Sequence, residues 1–330
     1  MRHQTPKINI KDIKFRHYVE YCLLLILGFL IVWIPTDVGS FMIGKAWRFF
    51  GPYGHRHSRV LRHLEWAFGD QYSAPEREKI ARKMWENLGR TFYESMFAER
   101  FLKKPERFKV GGEAFNHLKH DCSDGIVLLT HHFGNWEFIG IPISSFTDHK
   151  LLAIYKKIRN PLVEAIYYKK RKMIFTGGLY SEKARAAKRA VEGVRAGYDL
   201  AMACDLRNMG GTVVNFFDMP FHVTNFPETL AVKNKKPVFV AQLRRLKGAH
   251  FVLDIEKIDY KITDDVKRDS HNLAQAVHSQ FEKWIRQHPE QWMWASYRWS
   301  SRHDSPEIIP LSWNKYCKLK RAAKPKKLDK

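Results

Sequence analysis

Cysteine is scarce in this chain of 330 residues, and the four present (Cys22, Cys122, Cys204, Cys317) lie far apart with no C-x-x-C pair. That spacing excludes a disulfide framework and a zinc ribbon, and fits a reducing compartment. Acidic residues are also short: 34 Asp plus Glu stand against 57 Lys plus Arg, a net charge of +23. The deficit says nothing about fold, but it points to anionic partners such as nucleic acid, anionic lipid or an acidic carrier protein. No internal repeat is present, and no zinc-finger, RRM-type or helix-turn-helix pattern supports a nucleic-acid reading. Long apolar runs are few. The longest uncharged window lies between Glu20 and Asp37, with Tyr21 to Ile34 its apolar part. The sixteen residues of that window reach only about 24 Å as helix, short of the roughly 30 Å hydrocarbon core. A thinned bilayer, one leaflet or a protein core would each accommodate such a segment. No small-x-small cleavage pattern follows Pro35, which argues against a signal peptide.

What is present is a short aliphatic run that stops at polar residues: Ile126-Val127-Leu128-Leu129-Thr130-His131-His132-Phe133-Gly134-Asn135-Trp136-Glu137. It reads as a buried strand, a tight turn, then a helix from Asn135 or Trp136. The His132-x4-Glu137 spacing lets the carboxylate fold back toward the imidazole. A carboxylate on one ring nitrogen leaves the other free as a base. Adjacent histidines on an extended chain face opposite ways, so His131 is read as structural and no metal is expected.

Around this centre, Ser73-Ala74-Pro75-Glu76 forms a capping box opening a helix to about Phe101-Leu102. Strand-like runs follow at Leu151 to Tyr155, Tyr198 to Cys204, Val213 to Phe217, Pro237 to Leu243 and His250 to Ile255. A helix carrying Leu273, Val277, Phe281 and Trp284 ends near His288-Pro289. The Trp292/Trp294 pair reads as core. The expected fold is α/β: a mixed central sheet flanked by helices, with an N-terminal hydrophobic membrane helix. Three segments are expected: residues 1–40, basic segment and membrane helix; 41–310, catalytic domain; 311–330, basic tail. The aromatic and basic stretch Phe41 to Arg62 reads as an interfacial surface or a linker helix. Ligands gather at the carboxyl ends of strands in such sheets, and here that edge collects His131, His132, Glu137, Arg159, Asp205 and Arg207.

The setting His-Phe-Gly-Asn-Trp-Glu resembles the signature of the late acyltransferases of lipid A biosynthesis, of the lauroyl/myristoyl type, within the wider glycerolipid acyltransferase superfamily. Other blocks are similar in order: Trp85 to Thr91, Tyr155-Lys156 with Asn160-Pro161, Asp205 with Phe216-Phe217 and Pro220-Phe221, and Pro289 to Trp294 with Arg298-Trp299. The chain departs from the family pattern at Lys156, Leu206, Asp218-Met219 and Pro227-Glu228-Thr229. The resemblance implies transfer of a fatty acyl group from acyl carrier protein to a hydroxyl of an anionic lipid A precursor. It implies His132 as general base, Glu137 as its orienter, and neither an acyl-enzyme nor a cofactor. Substrate contacts are expected at Arg159, Arg207, Asp205, Asn135, Lys156 and Glu228, with the oxyanion held by backbone N–H groups near Gly134 and Asn135 or by an arginine. It further implies a monomer at the cell inner membrane, its catalytic domain facing the cytoplasm. Rival readings are an O-acyltransferase with another glycolipid or glycerolipid acceptor, a basic nucleic-acid-binding protein, and a non-catalytic membrane scaffold.

Overall fold

A computed structural model describes residues 13–181 and 184–299. Its helices are α1 (Phe15–Ile31), α2 (Thr36–Phe50), α3 (His57–Phe68), α4 (Ala74–Met96), α5 (Ala98–Leu102), α6 (Glu113–Asp121), α7 (Gly140–Phe146), α8 (Pro161–Ile174), α9 (Ala184–Arg195), α10 (Phe226–Asn234) and α11 (Val266–Gln287). The strands are β1 (Phe108–Lys109), β2 (Val127–Gly134), β3 (Leu151–Tyr155), β4 (Gly178–Ser181), β5 (Asp199–Ala203), β6 (Arg207–Phe216), β7 (Met219–Val223), β8 (Val238–Arg245) and β9 (Phe251–Ile258). Seven of them form one sheet in the order β1-β9-β8-β2-β5-β3-β4, and β6 and β7 form a separate ribbon. Only β8 and β9 pair antiparallel within the large sheet, so it is mixed as expected.

The aliphatic run at 126–130 explains why β2 sits in the middle. Every residue from Val127 to His131 is buried, as required of a strand covered on both faces. Two apolar layers enclose it. One contains Val127, Leu129 and Phe133 with the α11 stripe Leu273, Val277 and Phe281. The other contains Leu128 with Phe101, Phe138 and Phe251. Burying each such side chain contributes about 1.5–3 kcal/mol.

Several sequence readings need adjustment. The capping box at Ser73 is present, but the helix it opens breaks at Phe97 into α4 and α5. The helix expected from Asn135 or Trp136 is a single 3-10 turn, Trp136–Phe138, followed by α7. The edge strand β1, the short strand β4 and the returning strand β7 were not anticipated. Among the described residues no helix is long and apolar enough to cross a membrane, so the N-terminal membrane helix is not found as a span. Residues 21–31 belong to α1, and α2 runs through the expected 40/41 boundary to pack on α4. The tail at 311–330 lies outside the described residues.

Candidate active site

The register of two neighbouring strands builds the centre of the site. Strands β2 and β5 are parallel, with Thr130 opposite Ala203. Two residues further along each chain stand His132 and Asp205. The imidazole Nδ1 meets Asp205 Oδ1 at 2.6 Å, and the His132 backbone N–H donates to Oδ2 at 3.1 Å. Asp205 is fully buried. Its Oδ2 also accepts from Trp292 Nε1 at 2.9 Å and from Arg298 Nη2 at 2.9 Å. Burial alone would raise this acid. The Arg298 charge and the contacts with His132 outweigh it and hold Asp205 well below the usual carboxylate range. An ionised Asp205 accepts Nδ1–H, which leaves Nε2 as the unprotonated ring nitrogen of a side chain that lines the cleft.

The expected contact between His132 and Glu137 is replaced. Glu137 sits on the 3-10 turn, and its carboxylate grips Arg171 of α8 through Nε at 2.8 Å and Nη2 at 2.6 Å. The fork matches the carboxylate on two edges, the strong form of this pair. Desolvation opposes the charge on Glu137, but the Arg171 guanidinium outweighs it and holds the carboxyl below its ordinary pKa. Arg171 Nη1 is buried without a partner.

His132, Trp136, Glu137 and Arg171 line a cleft of about 190 Å³ whose deeper wall is apolar, with Ile139, Ala153, Phe175, Leu179 and Ala201. Lys156 lies on its rim and is exposed. The loop carrying Lys156 is fixed by Glu164, which accepts from Tyr155 Oη at 2.6 Å and from Ile158 N at 2.9 Å. Asn160 caps α8, accepting from Leu162 N, and its Nδ2 donates to His17 O and Glu20 of α1. The Asn160-Pro161 block thus joins α1 to the cleft wall.

The remaining sequence candidates lie elsewhere. Arg159 is exposed and outside the cleft lining, and Arg207, half-buried at the start of β6, is likewise not part of it. Glu228 is buried in the first turn of α10 with both oxygens unpartnered. His131 is buried between Phe281 and Trp284, and burial drives its pKa to about 3, so it is neutral.

Asn135 is buried in a polar network behind the site rather than in the cleft. Its Nδ2 donates to Glu94 at 2.7 Å, and its backbone N–H is taken by Leu243 O at 3.1 Å, so that N–H is not available to an oxyanion. Glu94 also accepts from Ser40 of α2 at 2.6 Å and from Arg245 Nη2 at 2.9 Å. Arg245 Nε reaches Asn87 Oδ1 at 2.8 Å, while Asn87 Nδ2 and Thr91 Oγ1 donate to Gly134 O at 3.0 and 2.9 Å. Gln291 brackets the backbone of Arg245. Gly134 has φ +55°, and a Cβ there would stand 1.9 Å from Leu243 O, so the turn needs glycine. The blocks at 85–91 and 289–294 therefore meet at the turn between His132 and Glu137.

Arg171, Arg298 and the Glu94–Arg245 pair were missed as site components. Arg171 sits inside Lys169-Lys170-Arg171-Lys172, which reads as a solvated basic face. Arg298 and Trp292 carried a signal only through the resemblance.

The model of the bacterial lipid A biosynthesis acyltransferases matches residues 8–301. The chain belongs to this family. A lipid A biosynthesis palmitoleoyltransferase of Escherichia coli (strain K12) is 25% identical over 297 residues, which cover 84% of this chain and 90% of the relative. A lipid A biosynthesis acyltransferase of Shigella flexneri matches with the same figures.

Proposed function

We propose that this family member transfers a fatty acyl group from an acyl carrier protein thioester directly to a hydroxyl of a lipid A precursor, with His132 as general base. The observation that carries the reading is the 2.6 Å contact between His132 Nδ1 and buried Asp205 at the mouth of an apolar cleft. The acceptor oxygen attacks the thioester carbonyl carbon while its proton passes to His132 Nε2. The C–S bond then breaks, and the departing thiolate takes the proton back from the imidazolium. Asp205 fixes the tautomer and balances the imidazolium charge, the role an aspartate plays in a triad. No serine or cysteine nucleophile is required.

Arg171, held by Glu137, is the proposed electrostatic partner for negative charge developing on the carbonyl oxygen, its unpaired Nη1 being the available donor. Glu137 thus serves through Arg171. The wall of Ile139, Phe175 and Leu179 suits the acyl chain. Lys156 on the rim, with Arg159 and Arg207 further out, suits the anionic carrier or the acceptor phosphates. Apolar residues exposed on α1 and α2, among them Phe29, Leu30, Phe41 and Phe50, support attachment to a membrane surface; the family reading puts that surface at the inner membrane, with the cleft on its cytoplasmic side.

The test is transfer from acyl carrier protein thioesters to lipid A precursors in vitro. His132→Ala is expected to lower kcat by about 10²–10⁴ or more, while the protein stays folded and membrane-bound. Normal turnover by that variant would reject the reading.

A further inference from the structure

A second cavity lies apart from the His132 cleft and shares no lining residue with it. It is an apolar groove of about 480 Å³ between Leu27 of α1, Ile43, Ala46 and Trp47 of α2, and Trp85 and Phe92 of α4. Its size falls in the range of about 300–1,000 Å³ common to small-molecule sites. We infer that this groove holds one acyl chain of an anionic glycerophospholipid drawn from the bilayer, with the head group at Arg56.

Three observations support this occupant. First, the walls are preformed. Trp47 stacks on Phe92 with ring centres 5.6 Å apart. It also lies so close to α4 that a Cβ on Gly89 would come within 2.5 Å of its indole. The Trp85 indole N–H donates to His57 Nδ1 at 3.1 Å. A groove with fixed aromatic walls does not close on itself when empty. Second, it opens among exposed apolar side chains. Phe50, a lining residue, is 66% exposed, and Tyr53, between the lining residues Gly51 and Gly54, is 80% exposed. A ligand reaching it therefore arrives from an apolar phase rather than from water. Third, the mouth is cationic. His55 and Arg56 are exposed there, and Arg56 forms no ion pair among the described residues. Nearby Lys45 and Arg48 are already engaged by Glu86, which also holds Arg90, whereas Arg56 is left to meet an anionic head. An apolar slot ending at an unpaired guanidinium suits a chain joined to a phosphate.

The inference does not depend on the catalytic reading, since none of these residues touches the cleft. The test uses the full chain with phosphatidylcholine vesicles carrying a minor fraction of phosphatidylglycerol with a diazirine in its acyl chain. Photolysis and peptide mapping locate the label. Label is expected on the segments holding Leu27, Ile43, Ala46 and Phe92. Ala46→Trp, which fills the groove, is expected to cut that label about tenfold while leaving label on the outer residues Phe29 and Leu30. Ala46→Leu, a milder filling, gives an intermediate loss and serves if the larger side chain prevents folding. Arg56→Glu is expected to reduce label from phosphatidylglycerol but not from a matched phosphatidylcholine probe. Label confined to the outer face of α1, or unchanged by groove filling, overturns the site. Equal label from both head groups, before and after Arg56→Glu, overturns the anionic preference.

Discussion

His132 and Asp205 are joined across two adjacent parallel strands by a 2.6 Å contact, although 73 residues separate them in the chain. Asp205 in turn is held by Trp292 and Arg298, 87 and 93 positions further along the chain. The proposed base, its acid and the acid's counter-charge thus come from three segments distant in sequence that the fold brings together.

Asp205→Asn is the substitution that reads this relationship most directly. The amide can present its N–H to Nδ1, which favours the wrong tautomer, so kcat is expected to fall by about 10²–10⁴. The same change leaves the Arg298 guanidinium buried without its counter-ion, at a cost of about 3–5 kcal/mol in stability. Denaturant unfolding and initial rates measured on the same preparation separate the two effects. A folded Asp205→Asn protein turning over at the wild-type rate would remove Asp205 from the mechanism.

The Glu137–Arg171 pair makes a second expectation. If Glu137 acts through Arg171, the loss from Glu137→Gln should largely vanish in an Arg171→Met background. The double-mutant cycle on kcat/KM should then show a coupling of about 1–3 kcal/mol. Additive losses would mean that Glu137 works on His132 or substrate independently.

Behind the turn, Arg245→Met strands the buried Glu94 carboxylate and is expected to cost about 3–5 kcal/mol in thermal or urea unfolding. Glu94→Gln combined with Arg245→Met should recover most of that loss, because no lone charge remains. In the single variant kcat should fall more than KM rises, since the turn at Gly134 positions both His132 and Glu137. A stable single variant with normal kcat would show that the network is dispensable.

Much of this was legible beforehand, for identifiable reasons. The run Ile126 to Thr130 is aliphatic enough to be a doubly covered strand, and β2 is that strand. Leu151 to Tyr155 was bounded by polar residues on both sides, and β3 has those limits. The spacing of Leu273, Val277, Phe281 and Trp284 marked the buried face of α11. The partner of His132 was not legible in the same way. Local spacing offered Glu137, whereas the true neighbour depends on which strand lies beside β2 and in what register. That is a non-local fact, and a single sequence encodes it only diffusely. Asn135 was misread because an asparagine in a turn looks equally suited to a ligand and to a buried carboxylate. Strand β4 starts at Gly178 and, at four residues, is too short to show a period.

Glu228 supplies a pH expectation. Burial with no side-chain partner pushes the Glu228 carboxyl up from its ordinary pKa of 4.5 to about 8. The native state therefore keeps this proton where the unfolded chain has lost it. Its contribution is full below about 4.5 and is lost as pH rises toward about 8, at up to about 1.4 kcal/mol per pH unit. Glu228→Gln, which mimics the protonated acid, should flatten the fall in Tm between about pH 5 and pH 8. Parallel Tm profiles for the two proteins would place the proton elsewhere.

The position of β2 has one more consequence. It is flanked by β8 on one side and β5 on the other, three strands from each sheet edge, with apolar layers above and below. Backbone amides in such a strand exchange with deuterium only when the whole domain opens, whereas fraying at β1 or β4 leaves them untouched. The imidazole is thus anchored to a stretch expected to exchange slowest, insulated from any loosening at α1 and α2.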